Sequence, residues 1–272
     1  MNEGSQAVKT RTCRSLWLFG LWFAGCASTV PVQRPYPAPT ADELMTALRA
    51  RQAAVRGVNV EARVTSWMGG ERVRGTVQML VDRDGDLRFE AEVSLQGVVA
   101  ALAVHQGRFV FVDHQKKAFR RGLATPEDVA SLIRMPLSAQ MVAAIILGDA
   151  YVAEGSRAVD VTWVEGADVL HIQSPDGSQQ WISLQRPVPQ KPAWDVVAVS
   201  GQMPATQGRW RVSFQECQRW NGHAMPSLIR FAEPGRSFDD GVEIKVKDRV
   251  VNPRFAPEAF VVAPPPGYVP SP

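Results

Sequence analysis

The chain has 272 residues, of which 30 are basic, 27 are acidic and 45% are hydrophobic. A net charge of +3 is too small for the strongly basic patch or stripe that nucleic-acid binding requires, so we expect no nucleic-acid partner. The length and hydrophobic content allow one large core or two small ones.

The first 25 residues predict a signal peptide. Three basic residues precede the apolar run 16–24, which is shorter than the ~20 residues needed to cross a bilayer core. The residues at the end of this run and just after it, Phe23-Ala24-Gly25-Cys26, resemble the lipobox of bacterial lipoproteins, with Phe23 where Leu is usual. We therefore expect Cys26 to be lipidated and to become the mature N-terminus. An uncleaved anchor helix and an unmodified cysteine in a signal peptide are the alternatives.

A lipid on Cys26 would tether the protein to a membrane surface. Ala27 follows the cysteine where Asp could stand, and in lipoproteins of the enterobacterial type the absence of Asp favours the outer membrane, so we expect the domain to face the periplasm. The stretch "PVQRPYPAP" cannot form a helix because proline lacks the amide donor and fixes φ. Residues 26–39 are thus predicted to be an extended tether that holds the domain off the membrane.

Residues 40–262 are predicted to form a mainly β domain that begins with a helix. Thr40 and Glu43 have the spacing of a capping box, and the helix runs to about Arg56. Strict alternation then predicts strands near 58–65, 72–81 and 87–95, and three shorter strands follow up to residue 122. Together they form an antiparallel meander that curves over one apolar side.

Two helices interrupt the strands. The first has Thr125 as its N-cap and stops at Pro136, and the second runs from Ser138 to Gly148. The second helix is apolar nearly all round, so it must be buried or must face an apolar ligand. Seven further strands follow between residues 158 and 251, and the proline-rich tail 263–272 is expected to be disordered or extended.

This order of elements resembles the LolA/LolB group of bacterial lipoprotein carriers and receptors. The segment "RMPLSAQMVAAIILGD" is similar to the Pro-Leu step, short helix and closing glycine of that group, and "RWRVSFQECQRWNGHAMPSLIRF" to its C-terminal strand pair. The resemblance covers about residues 40–262. It implies a mainly β (α+β) fold, an unclosed antiparallel β-barrel whose concave apolar face is covered by helices. In that fold a cavity under the helices holds acyl chains.

The resemblance also implies a set of site residues. Lipid-anchored members resemble LolB, a receptor that inserts lipoproteins into the outer membrane and uses an apolar residue of an exposed loop, for which we nominate Val98 or Val99 by analogy. The dry face of one strand and the covering helices supply the expected acyl-binding residues, namely Phe89, Val93, Ile133, Leu137, Met141 and Ile145. The implied partners are acylated lipoproteins or a periplasmic carrier, and we expect a monomer.

No catalytic or metal-binding motif occurs in the sequence. HExxH, GxSxG, P-loop, GxGxxG and CxxC patterns are all missing, so we expect neither an enzyme nor a cofactor. The four histidines are too scattered for a metal site. Asp82, Asp84 and Asp86 alternate as in a calcium loop, but the flanking strands favour a hairpin turn.

Cys217 and the barrel interior leave two questions open. Cys217 is out of phase with Trp210, Val212 and Phe214 on its strand, so we expect an unbridged thiol that faces away from the cavity. Inward apolar residues look the same whether they contact a ligand or each other. The alternative to a lipid carrier is therefore a structural or partner-binding envelope lipoprotein whose barrel is filled by its own side chains.

Overall fold

One large sheet dominates the computed structural model, which describes residues 32–68, 71–93, 96–133, 135–189, 193–204, 209–233 and 235–271. Its strands are β1 (Gly57–Met68), β2 (Glu71–Asp82), β3 (Leu87–Val93), β4 (Gly97–His105), β5 (Arg108–Asp113), β6 (Ala118–Leu123), β7 (Arg157–Val164), β8 (Ala167–Gln173), β9 (Gln179–Gln185), β10 (Asp195–Gln202), β11 (Trp210–Trp220), β12 (His223–Ala232), β13 (Val242–Val251) and β14 (Val269–Pro270). The helices are α1 (Ala41–Ala54), α2 (Pro126–Ile133) and α3 (Ala139–Ile146), with a short 3-10 helix at Phe238–Asp240. The predicted signal peptide and Cys26 lie outside the described residues.

Two antiparallel meanders join to form this sheet. The strand order is β14-β6-β5-β4-β3-β2-β1-β13-β12-β11-β10-β9-β8-β7, so β1 and β13 connect the first meander to the second. The described strands β14 and β7 stand at opposite edges and do not pair with each other. The prediction of a mainly β, unclosed antiparallel barrel is confirmed.

The alternation in the sequence decides which face of the sheet is buried. In β1, Val58, Val60 and Ala62 are at most 1% exposed, whereas Asn59 and Arg63, in the alternate positions, are exposed. We call the face with the buried residues the inner face. The two ends of the sheet are called the Gly57 end and the Met68 end, after the ends of β1.

Capping residues set the starts of the helices where the sequence predicts them. The backbone N–H of Glu43 donates to Thr40 Oγ1 (3.2 Å), and that of Thr40 donates to Glu43 Oε2 (2.8 Å). The N–H of Asp128 donates to Thr125 Oγ1, and that of Met141 to Ser138 Oγ. Each bond satisfies an amide that the first helical turn leaves free.

The apolar helix α3 is buried, which is one of the two states that its composition allowed. Ala139 and residues 142–147 are at most 7% exposed and belong to the core together with inner-face residues of the sheet. Fully burying a Val, Leu or Ile side chain contributes about 1.5–3 kcal/mol. The helix is therefore held mainly by packing.

The proline-rich tail, which the sequence analysis placed after the domain as residues 263–272, pairs with the sheet. β14 pairs in parallel with the first residues of β6, through Val269 N–H to Lys117 O (3.0 Å) and Ser271 N–H to Phe119 O (2.8 Å). The Tyr268 hydroxyl lies 2.9 Å from His114 Nδ1. The tail is extended, as one of the two alternatives had it, because proline is tolerated at a sheet edge.

The later part of the predicted tether also packs on the domain. Arg34 Nη2 lies 2.7 Å from Asp168 Oδ1, and the Tyr36 hydroxyl donates to Asp168 Oδ2 at 3.0 Å. The Tyr36 ring meets Trp163 and Trp194 edge-on, at centroid distances of 5.9 and 5.6 Å. Residues 34–36, within the predicted tether, thus compensate a carboxylate with no exposed surface.

Within the described ranges, none of the helices combines the length and the hydropathy that a bilayer-crossing segment needs.

Candidate functional site

An open pocket of about 410 Å³ lies between the inner face of the first meander and the helices. Its sheet side consists of residues from β1 to β5 and from β13, and its helix side of Leu132, Ile133, Met135 and Ile146. Most lining side chains are apolar. Ser66, Arg74 and Glu92 are the polar lining residues among those that the structure describes.

Small residues on three neighbouring strands create the space. Gly75, Ala91 and Ala100 all line the pocket, and Ala91 and Ala100 lie directly opposite each other in the β3–β4 register. Phe89 and Leu102, the next inward pair along the same strands, line the pocket as well.

The pocket opens at the Met68 end of the sheet. Val73 is 51% exposed and Val93 is 39% exposed there, close to the β1–β2 and β3–β4 turns. Met79, Leu102 and Ile146 line the pocket farther in and are at most 3% exposed. An apolar chain that entered at Val93 would thus meet progressively more buried surface.

Three of the six residues predicted to bind acyl chains line this pocket. Phe89, Val93 and Ile133 do so. Leu137 and Ile145 are core residues with 0% and 3% exposure, and the half-buried Met141 packs against the core without lining the pocket. The assignment of these last three to the pocket surface is corrected.

The error arose because α3 is apolar all round. Periodicity then cannot tell which face meets the pocket and which meets the rest of the core. The structure gives the pocket face to Ile146, next to Ile145, and adds Leu132 and Met135 from α2 and the residues that follow it.

Val98 and Val99 belong to a strand, so their placement in an exposed loop is also corrected. Both are half-buried residues of β4. The register shifts between Ala91 and Glu92, which leaves Val99 as the extra residue opposite them, and Val99 lines the pocket. Gly97 ends the preceding turn with φ = 72°, a conformation that favours glycine.

The acidic and histidine residues serve the fold. Asp82 Oδ1 accepts from Asp84 N–H at 2.9 Å inside the predicted hairpin turn, and Asp86 lies 2.8 Å from His105 Nδ1. His171 stacks on Trp181 and lies 3.0 Å from Asp160. In the part of the chain that the structure describes, no three metal-ligating side chains converge.

Cys217 is a free, exposed cysteine on β11, whereas Trp210, Val212 and Phe214 of the same strand are buried. The thiol does not line the 410 Å³ pocket. Desolvation, followed by the charge of Asp195, raises the pKa of Cys217, so its reactive thiolate is scarce at neutral pH.

A second pocket, of about 370 Å³, lies at the Gly57 end of the sheet, where the sequence analysis predicted none. One wall is α1, with Ala47, Ala50 and Ala54, and the other combines the β9–β10 loop with the β11–β12 hairpin. Its charged lining residues are Arg51, Asp195 and Arg219, and Arg51 pairs with Asp195 at 3.2 Å.

No protein-family model and no curated protein matches the sequence. Solved structures do match the fold. A LolA superfamily protein from Nitrosomonas europaea aligns with a TM-score of 0.57 at 8% identity, over 83% of this chain and 99% of that chain. A domain assigned to outer membrane lipoprotein sorting, from Vibrio parahaemolyticus, also gives 0.57 at 8% identity, over 81% and 97%.

A DUF1329 family protein from Desulfovibrio piger aligns with a TM-score of 0.56 at 14% identity, over 83% of this chain and 98% of that chain. The similarity extends over nearly the full length of all three proteins, while the identity is too low to carry a function across. What the sequence pattern indicated about architecture is thereby confirmed: this chain has the LolA/LolB-like fold, an unclosed antiparallel sheet with helices against its inner face.

Proposed function

We propose that the protein is a lipid-handling carrier or receptor that binds an acyl chain in the 410 Å³ pocket. The observation that carries this proposal is the pocket itself, whose described lining residues are mostly apolar and which is open to solvent. Its volume falls within the range of about 300–1,000 Å³ that is usual for small-molecule sites. In a barrel filled by its own side chains we would expect larger residues at the positions of Gly75, Ala91 and Ala100 on adjacent strands.

Such a protein can transfer an acyl chain without making or breaking a covalent bond. Each methylene that leaves water for an apolar site contributes about 0.8 kcal/mol, so an acyl chain can move between sites of similar apolarity at little net cost. Phe89, Val93 and Ile133 would contact the chain, and Val99 would contact it near the open end.

The cargo that fits best is the acyl part of a lipoprotein or another lipid. Two of the similar structures are a LolA superfamily protein and a lipoprotein-sorting domain, which supports this choice. Acylated lipoproteins or a periplasmic carrier would be the partners.

We also propose that Cys26 is lipidated and anchors the protein in the outer membrane, with the domain in the periplasm. Cys26→Ser should abolish acylation and leave the precursor uncleaved at that site, which mass spectrometry of the purified protein would show. An unlipidated, uncleaved wild-type chain would contradict the anchor while leaving the pocket proposal untouched.

The pocket is tested with an unacylated chain that begins at Ala27 and keeps the whole compact unit Gln33–Pro272. We expect it to bind a fluorescent fatty acid and a lipidated peptide. Val93→Asp should weaken binding by about tenfold or more, because a charge at the apolar opening must be desolvated. Ala91→Phe should abolish binding by filling the pocket.

Val164→Asp is the matched control. Val164 is 49% exposed on β7, close to the exposure of Val93, and it does not line the pocket, so binding should stay at the wild-type level. If the folded wild-type chain binds neither probe, the alternative of a structural lipoprotein of the envelope replaces the carrier proposal. If both aspartate variants bind as well as the wild type, the acyl chain does not occupy this pocket.

A further inference from the structure

A buried guanidinium without a hydrogen-bond partner among the described residues lies against Trp220, whose neighbours line the second pocket. Arg249 on β13 is 4% exposed, and none of its three guanidinium nitrogens has a hydrogen-bond partner among the described residues. It lies directly opposite Val60, which is 1% exposed. Because opposite residues of an antiparallel pair project to the same face, Arg249 lies on the inner face.

Trp220 and Arg249 are not among the described lining residues of the second pocket, but Trp220 is a direct neighbour of two residues that are. The Arg249 guanidinium lies 5.9 Å from the Trp220 ring centroid. Trp220 adjoins Arg219 in the chain and is paired with His223 across the β11–β12 hairpin, and both of these residues line the pocket. Trp220 Nε1 is a second buried donor without a partner among the described residues.

Burial penalises the charge on Arg249, whereas the nearby Cys217 favours it. Desolvation lowers the pKa of Arg249 to about 10, so the side chain is still a cation at neutral pH. A buried cation is ordinarily paired, because an unpaired one loses its hydration and gains no compensating interaction. A bound anion would provide the missing partner.

The pocket beside this cation is amphipathic. Ala47, Ala50 and Ala54 give one side of α1 a row of small apolar side chains along the pocket. Arg219 is exposed on the opposite wall, and Asp195, the single carboxylate among the described lining residues, is already paired with Arg51. An apolar tail would fit along α1 while its anionic head reaches the cations.

We propose that the second pocket binds an anionic amphiphile, whose carboxylate or phosphate head is held by Arg249, Trp220 Nε1 and Arg219. This site lies at the Gly57 end of the sheet, whereas the acyl pocket opens at the Met68 end. It therefore goes beyond the acyl-binding function proposed above and does not depend on it.

Calorimetric titration of the chain that begins at Ala27 tests the proposal, with dodecyl phosphate and dodecanoate as probes, each below its micellar concentration. We expect the second site to bind at least one of these anions, and to bind neutral dodecanol at least tenfold more weakly. Preference for the phosphate would indicate a phospholipid-like head and preference for the carboxylate a free fatty acid, and either result supports the site. Equal binding of dodecanol would overturn it.

Arg249→Met should abolish binding at the second site and should not lower the unfolding midpoint in urea, because it removes a buried charge that has no partner. Ala91→Phe blocks the acyl pocket and should leave this second-site signal intact, so the two proposals can fail separately. Retained anion binding in Arg249→Met, together with a lower midpoint, would make Arg249 a structural residue and refute the proposal.

A second pair of variants avoids the buried side chain altogether. Ala50→Trp should fill the second pocket from the exposed side of α1 and abolish anion binding. Ala53→Trp places the same side chain at an exposed α1 position that does not line the pocket, so binding should be unchanged. Equal binding by both tryptophan variants would contradict the proposed site.

Discussion

At the scale of single residues, the buried carboxylate of Asp168 is stabilised by a segment that is distant in the chain. Its side chain has no exposed surface, and the groups that compensate it come from Arg34 and from Tyr36, which lies 132 residues earlier in the chain. Without the docked segment this carboxylate would face the apolar side of the sheet unpaired, at a cost of several kcal/mol. Residues 34–36 therefore belong to the folded domain.

Tyr36→Phe tests this contact through pH. Desolvation and the hydrogen bond to Asp168 raise the pKa of Tyr36 to about 12. Below pH 10 the phenol is neutral in the folded and in the unfolded state, and its contribution to stability is complete. As the pH rises from 10 to 12 the unfolded state loses the proton first, so the contribution to stability declines. We expect Tyr36→Phe to be less stable at pH 8, by about 1–3 kcal/mol, and to lose less stability between pH 10 and 12.

Urea unfolding at a series of pH values measures both effects. Arg34→Gln keeps the phenol and should keep the steep decline above pH 10. If the stability of Tyr36→Phe declines with pH in parallel with that of the wild type, folding does not raise the pKa of Tyr36.

At the scale of elements, the C-terminal end of α3 depends on one glycine for two reasons. Gly148 has φ = 71°, and a Cβ added there would lie 2.3 Å from Cδ of Pro226 on β12. The carbonyl of Gly148 accepts from Arg51 of α1 at 3.2 Å. The helix end thus packs directly on the sheet and is bonded to a second helix.

Gly148→Ala should therefore lower the free energy of unfolding by more than backbone strain alone would. Gly222 supplies the control, because its φ is 85° and a Cβ there would meet nothing within 4 Å. We expect Gly222→Ala to cost about 1 kcal/mol and Gly148→Ala about 3 kcal/mol or more, the difference being the steric overlap with Pro226. Chemical denaturation of the two variants compares them, and equal costs would mean that α3 can move away from Pro226 freely.

At the scale of the whole molecule, the sheet is open and its edges must be protected. β14 covers the start of β6 with two backbone hydrogen bonds, and the Tyr268 hydroxyl lies close to His114. Exposed strand edges pair readily with other chains. The proline-rich tail thus shields one edge, and Pro270 within it cannot donate to an incoming strand.

Deletion of residues 263–272 should uncover β6. We expect a loss of about 1–3 kcal/mol in the free energy of unfolding, and self-association that increases with protein concentration in sedimentation velocity. Tyr268→Phe, which removes only the hydroxyl beside His114, should stay monomeric. If the deleted chain is also monomeric at all concentrations, the tail has no role in protecting the edge.

Local signals in the sequence determined the elements and their order. The alternation at Val58, Val60 and Ala62 identified β1 and its buried face, and Thr40, Thr125 and Ser138 marked the helix starts. These signals are reliable because they depend on neighbours within a few residues along the chain. Their order, together with two short motifs, was enough to indicate the LolA/LolB-like architecture.

Only the tertiary structure decided which buried residues meet a pocket. Ile145 and Ile146 are equally apolar neighbours on α3, and only Ile146 lines the acyl pocket. Likewise, Tyr36 bonds to Asp168 across 132 residues, and Arg249 lies beside Trp220 although nothing near either residue in the sequence indicates it. The physical reason is that periodicity tells the inside from the outside of one element, whereas a cavity or a buried ion pair depends on which distant elements pack together.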